Sequence, residues 1–72
     1  MPTLNSRLAE RLKQVRTERG WSLQELADAS GVSRSTLSRV ENAEVSPTAD
    51  TLGSLSTAYR MTISQLLAPI EA

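Results

Sequence analysis

The feature that most constrains this chain is a break inside "LADASGVSRSTLSRVE", residues 26–41. Apolar residues at helical spacing stop at Ala29-Ser30-Gly31 and restart after Ser33. One helix therefore ends and another begins almost at once. A tight joint containing glycine makes two short helices cross and bury their facing sides together. Gly31 supplies the left-handed backbone such a joint needs. Ala27 is small and lets the helices approach closely. Val32, Leu37 and Val40 pin the second helix to the core, which leaves Arg34, Ser35, Ser38 and Arg39 outward, with Thr36 nearby. The turn and its two helices occupy roughly residues 22–42.

The remainder reads as further helices with short connections. Leu4, Leu8, Leu12 and Val15 form one apolar stripe, which predicts a helix from Leu4 or Asn5 to Arg19, ended by Gly20. Ser22-Leu23-Gln24-Glu25 is a capping box opening the second helix, which ends near Ala29 or Ser30. Ser33 caps the third, which runs to Glu41 or Asn42. Trp21 with Leu26, and Val32 with Leu37, are placed as hydrophobic staples. Pro47 marks the start of a fourth helix capped by Ser46 or Thr48, with Leu52, Leu55, Ala58 and Tyr59 inward and the Tyr59 hydroxyl at the core's edge. Thr62-Ile63-Ser64-Gln65 is a second capping box, with Met61 and Leu66 as its staple. It opens a short fifth helix that Pro69 closes, leaving residues 69–72 frayed. No strand pattern competes. The expected fold is all-α, a compact five-helix bundle containing a helix-turn-helix, in one domain spanning residues 1–72.

Composition narrows the chemistry. The chain has no Cys and no His. It therefore lacks a thiolate nucleophile, a disulfide, and the usual general base and metal ligands. Its acids are spread singly, and no glycine-rich phosphate loop occurs. No catalytic residue, cofactor or metal is expected. No apolar run approaches the ~18 residues of a membrane span and no N-terminal leader is read, so a cytoplasmic protein is expected. Formal net charge is zero. Residues 1–42 carry seven basic and five acidic side chains, and residues 43–72 carry one basic and three acidic.

Two readings of the outward helix face compete. Arg34 and Arg39 could be solvated charges, as Arg7, Arg11 and Lys13 are read to be. Ser35 and Ser38, however, are poor helix formers on an exposed face, where a purely structural helix favours Lys, Glu or Ala. An Arg can pair with guanine through two hydrogen bonds in the major groove, and Ser or Thr can reach bases or phosphates. A helix start also offers free N–H groups to phosphate oxygens.

Residues 11–67, "RLKQVRTERGWSLQELADASGVSRSTLSRVENAEVSPTADTLGSLSTAYRMTISQLL", resemble the Xre-type, lambdoid phage repressor-like helix-turn-helix domain. Within them "ENAEVSPTADTL", "AY" and "TISQLL" most resemble the branch fused to a cupin sensor domain. The resemblance implies a sequence-specific transcriptional regulator of bacterial or phage type. It would bind a roughly palindromic double-stranded DNA operator as a homodimer, with a small-molecule sensor domain absent from this chain. Arg34, Ser35, Ser38 and Arg39 are the expected base contacts. Ser22, Gln24, Ser33 and Thr36 are the expected phosphate contacts. Arg16 and Glu41 match an ion pair tying the first helix to the end of the third. The chain departs from the family at Asn42-Ala43-Glu44, where a Gly and a basic residue are usual, and at Arg60, where a Gly is common. Asn42 or Ala43 must then turn left-handed, and Glu44 repels any phosphate it faces. A protein-interaction module, antitoxin- or adaptor-like, is the alternative use of such a fold. Ile63 to Ile70 is the expected self-association surface.

Overall fold

The computed structural model describes residues 3–71. Five helices follow one another: α1 (Leu4–Glu18), α2 (Leu23–Ser30), α3 (Arg34–Glu41), α4 (Ala49–Tyr59) and α5 (Ile63–Glu71). There is no strand among the described residues. Among them, too, no helix is long and apolar enough to cross a membrane.

Every helix begins on a hydroxyl. Thr3, Ser22, Ser33 and Thr48 each accept a hydrogen bond from the N–H three residues on. Thr62 does the same for α5. Each such cap contributes about 1 kcal/mol. In α2 and α5 the third residue returns the bond, with Glu25 accepting from the Ser22 N–H at 3.0 Å and Gln65 from the Thr62 N–H at 2.9 Å. In α1, α3 and α4 that residue is itself a hydroxyl, and the cap donates to it: Thr3 to Ser6, Ser33 to Thr36, Thr48 to Thr51. Thr48 rather than Ser46 caps α4, because Ser46 donates to Asn5 Oδ1 instead.

Helix ends use one device repeatedly. In α1, α3 and α4 the chain turns through a left-handed residue, Gly20, Ala43 and Arg60 respectively. A crossed pair of backbone bonds closes each end, such as Ala43 N–H to Val40 O at 3.1 Å and Glu44 N–H to Arg39 O at 2.9 Å. Gly31, at φ 75°, closes α2 by donating to Ala27 O. Of the two candidates after α3, it is Ala43, at φ 59°, that turns left-handed.

The core is one cluster of Leu12, Val15, Leu26, Leu37, Val40, Leu55, Tyr59 and Leu66, with contributions from all five helices. Leu4 does not join the stripe expected of it; it is 70% exposed. Each four-residue step overshoots a full turn by about 40°, so Leu4 has rotated away from the line of Leu12 by the first turn. Ala9 is buried in α1 as well. The Tyr59 hydroxyl is not at the edge. It is buried and has no hydrogen-bond partner among the described residues.

Pro69 does not close α5 but lies inside it. It has no N–H to offer the carbonyl four residues back. Arg11 makes up the difference from α1, donating Nη2 to Gln65 O at 3.4 Å and Nε to Leu66 O at 2.8 Å. Arg11 is thus a docking residue for α5, not part of a solvated face. Of the expected self-association surface, Ile63 is 43% exposed and Leu67 half-buried. The Ile70 side chain and Ala72 lie outside the described residues.

One polar junction orients α3. Glu41 at its end receives Arg16 Nε at 2.8 Å and Nη2 at 2.9 Å, while Arg16 Nη1 donates to Trp21 O at 2.8 Å. The two side chains are only 13% and 6% exposed. The hydrogen bond to Glu41 raises the Arg16 pKa and holds the guanidinium charged. Beside them Trp21 stacks on Tyr59 at 5.4 Å, and Arg19 caps both rings at 6.0 and 5.5 Å. Burial pushes the Tyr59 hydroxyl up to about 12, and the Glu41 charge pushes the same way.

Three outcomes are expected. Ala43→Gly and Arg60→Gly should each stabilise the fold by ~0.5–1 kcal/mol in urea unfolding. Left-handed strain of ~1–2 kcal/mol is relieved against the greater freedom of an unfolded glycine. Glu41→Ala should cost about 3 kcal/mol, and Glu41→Leu combined with Arg16→Met distinctly less, because the single change strands a buried cation. Tyr59 makes stability fall above pH 10. The unfolded hydroxyl ionises near 10 and the folded one near 12, so the unfolded state releases its proton first. The loss should be about 1.4 kcal/mol per pH unit across that window. Tyr59→Phe should abolish this slope and be neutral or stabilising at pH 7, since it removes a buried hydroxyl with no partner.

Candidate nucleic-acid interface

Helix α3 sorts its residues by rotation alone. Leu37 and Val40 point into the core at 1% and 2% exposure. Ser35 and Arg39, one turn apart, occupy the opposite, exposed face. Arg34 and Thr36 are exposed beside them, and Ser38 is half-buried. The guanidinium groups of Arg34 and Arg39 have no ion-pair or hydrogen-bond partner among the described residues. The fold thus presents two cations that it does not use.

The hydroxyls at the start of α3 are already connected. Ser33 Oγ accepts from the Thr36 N–H at 3.2 Å and donates to Thr36 Oγ1 at 2.8 Å. Ser35 Oγ lies 3.4 Å from Ser33 Oγ. With the Ser33 proton spent on Thr36, the Thr36 proton remains for an outside acceptor. At the other end, Asn42 Nδ2 donates to Ser38 Oγ at 3.4 Å.

Ser22 and Gln24 stand on the first turn of α2, apart from this row. Ser22 is exposed and committed to its capping box. Gln24 is exposed too, but its amide donates to Asp28 Oδ1 at 3.0 Å. No hydrogen bond joins either residue to α3 among the described residues. Arg16 and Glu41 lie at the far end of α3, facing inward, and hold the helix rather than its surface. Glu44 is exposed immediately after α3 and brings a negative charge to that edge. Sequence reasoning did not single out Asn5, which reaches the segment after α3 from α1. An Asn in a helix's first turn was the one local sign.

No group of His, Cys, Asp or Glu that could hold a metal ion occurs among the described residues. The arrangement offers hydrogen-bond donors and positive charge on a narrow convex helix, a shape suited to a groove.

Comparison with known proteins agrees with this geometry. The chain is 42% identical over 72 residues to the HTH-type transcriptional regulator SutR of Escherichia coli, a match covering all of this chain and 40% of SutR. The chain thus spans well under half the length of that relative. Among solved structures, an HTH_3 family transcriptional regulator from Vibrio cholerae superposes with a TM-score of 0.85 at 35% identity, covering 92% of this chain and 37% of its own. The clp gene regulator ClgR from C. glutamicum superposes with a TM-score of 0.86 at 30% identity, covering 99% of this chain and 92% of its own. The model of the HTH_3 helix-turn-helix family matches residues 12–66, which takes in α2, the turn and α3, and the chain belongs to that family.

Proposed function

We propose that this chain is the DNA-reading domain of a transcriptional regulator, and that α3 enters the major groove of a double-stranded operator. The observation that carries this is a pair of guanidiniums, Arg34 and Arg39, without a partner among the described residues and on the exposed face of a helix positioned by a tight turn. An Arg on such a helix can meet guanine O6 and N7 with two parallel bonds. Ser35 sits between the two arginines, and Ser38 borders them. Thr36 and Ser33 present a polarised hydroxyl pair to a backbone phosphate, while Ser22 and Gln24 bring the start of α2 to the neighbouring strand.

Two copies bound to half-sites about one turn apart, ~34 Å, would read a roughly palindromic sequence. A sensor domain of cupin type, fused beyond this segment, would make DNA binding respond to a small molecule. The formal charge of zero favours specific over non-specific binding, because little charge is available to condense on arbitrary DNA.

Selection from a random duplex pool, followed by salt-titrated binding, tests the proposal. A palindromic consensus is expected. Arg34→Ala and Arg39→Ala should each weaken binding by about 1–3 kcal/mol and relax one base position. Glu44→Lys should tighten binding to consensus and scrambled duplexes alike and steepen the salt slope by about one contact. No enrichment, with equal weak binding to every duplex, would favour a protein-interaction module instead.

A further inference from the structure

The segment after α3 is held in an unusual way. Ala43 is strained into the left-handed region at φ 59°. The bond from Glu44 N–H to Arg39 O then folds the chain back over the last turn of α3. From there to Pro47 no backbone hydrogen bond supports the path among the described residues. Val45 packs against the core. The polar support comes from Asn5, in the first turn of α1. Its Nδ2 donates to Ala43 O at 3.2 Å, and its Oδ1 accepts from Ser46 Oγ at 3.1 Å. No other side chain hydrogen-bonds to residues 43–47 among the described residues.

A half-buried Asn with donor and acceptor both engaged, one at each end of a four-residue bend, works as a clamp. It fixes the bend relative to α1, and Arg16 fixes the end of α3 relative to the same helix. Thus α1 locates both the helix that carries Arg34 and Arg39 and the loop that flanks it. The geometry points to Asn5 as a positioning residue that sets operator affinity without touching DNA, by holding the 43–46 loop in the shape in which it meets the duplex. This rests on the DNA-reading function proposed above.

The experiment measures two quantities on the full chain and its Asn5→Ala, Ser46→Ala and doubly substituted variants. The first is amide hydrogen exchange at Ala43 and Glu44, whose N–H groups are the hydrogen-bonded ones of the segment among the described residues. The second is affinity for the selected duplex, well below the unfolding midpoint, where each variant is folded. Asn5→Ala should speed exchange at those amides by about tenfold and exchange at Leu37 and Leu55 by no more than that, since a native state that loses the clamp opens more readily to the local and the global open states alike. It should weaken operator binding by about tenfold, because the loop must then be ordered on binding. Ser46→Ala should do less of both, and the double variant should be no worse than Asn5→Ala. A role confined to stability would leave affinity unchanged in the folded variants. Unchanged loop exchange would remove the clamp, and faster exchange with unchanged affinity would remove its role in recognition. If the unaltered chain binds no duplex, the DNA-reading function fails and the recognition role with it, while exchange still decides whether Asn5 holds the loop.

Discussion

The two-pronged contact between Arg16 and Glu41 is the constraint on which the arrangement of α3 depends. A helix of eight residues has little stability of its own, since nucleation consumes most of what so few hydrogen bonds return. Leu37 and Val40 attach α3 to the core, but two apolar side chains leave it free to rock about its axis. Glu41 removes that freedom. It is gripped by two nitrogens of one planar group, and the third nitrogen of that group is anchored on Trp21 O at the entrance to α2. Three elements therefore meet at one guanidinium. Buried ion pairs are weak evidence for stability and better evidence for register. Here the register matters, because a small rotation of α3 would turn Arg34 and Arg39 away from a common surface.

The helix ends show how a chain of this size keeps five short helices in place. Hydroxyl caps satisfy the first free N–H groups locally, and crossed bonds around a left-handed residue satisfy the last carbonyls. Both devices act within a few residues, so each helix is delimited by its own local sequence. The hydroxyl pair at α3 adds a consequence for chemistry. A capping Ser that donates to Thr36 has no proton left, and the outward donor moves one turn along the helix.

What could be read from the sequence follows the range of each interaction. The capping boxes at Ser22 and Glu25, and at Thr62 and Gln65, are three residues wide and were legible. So was the outward row on α3, because rotation alone separates Leu37 and Val40 from Ser35 and Arg39. Pro69 was misread as a terminator because its compensation comes from Arg11, on another helix. Which of Asn42 and Ala43 turns left-handed was likewise hidden. The preference of Asn for that region favours the wrong residue, and the Ala43 carbonyl is met by Asn5 from far along the chain. The Tyr59 hydroxyl was expected at an edge, where water could serve it, yet it is buried without a hydrogen-bond partner among the described residues. Within the site, Asp28 follows Gln24 by four residues on the same helix, so the bond that holds the Gln24 amide lay within reach of the sequence and was missed.

These pieces bear on how a chain with no net charge could bind a polyanion. Charge attraction is sequence-independent and scales with the phosphates neutralised, so a neutral domain gains little from it. Affinity must then come from contacts that exist only when shape and sequence match, and each is worth its full value only if the protein pays no ordering cost on binding. Rigid placement therefore substitutes for charge. The Arg16–Glu41 junction places the helix, Asn5 places the loop beside it, and Gly31 sets the angle at which both are offered. In the proposed function Glu44, exposed at the rim of that surface, would lower the attraction for arbitrary DNA further. On the proposed reading this raises the ratio of specific to non-specific binding, the quantity that governs occupancy when wrong sites vastly outnumber right ones.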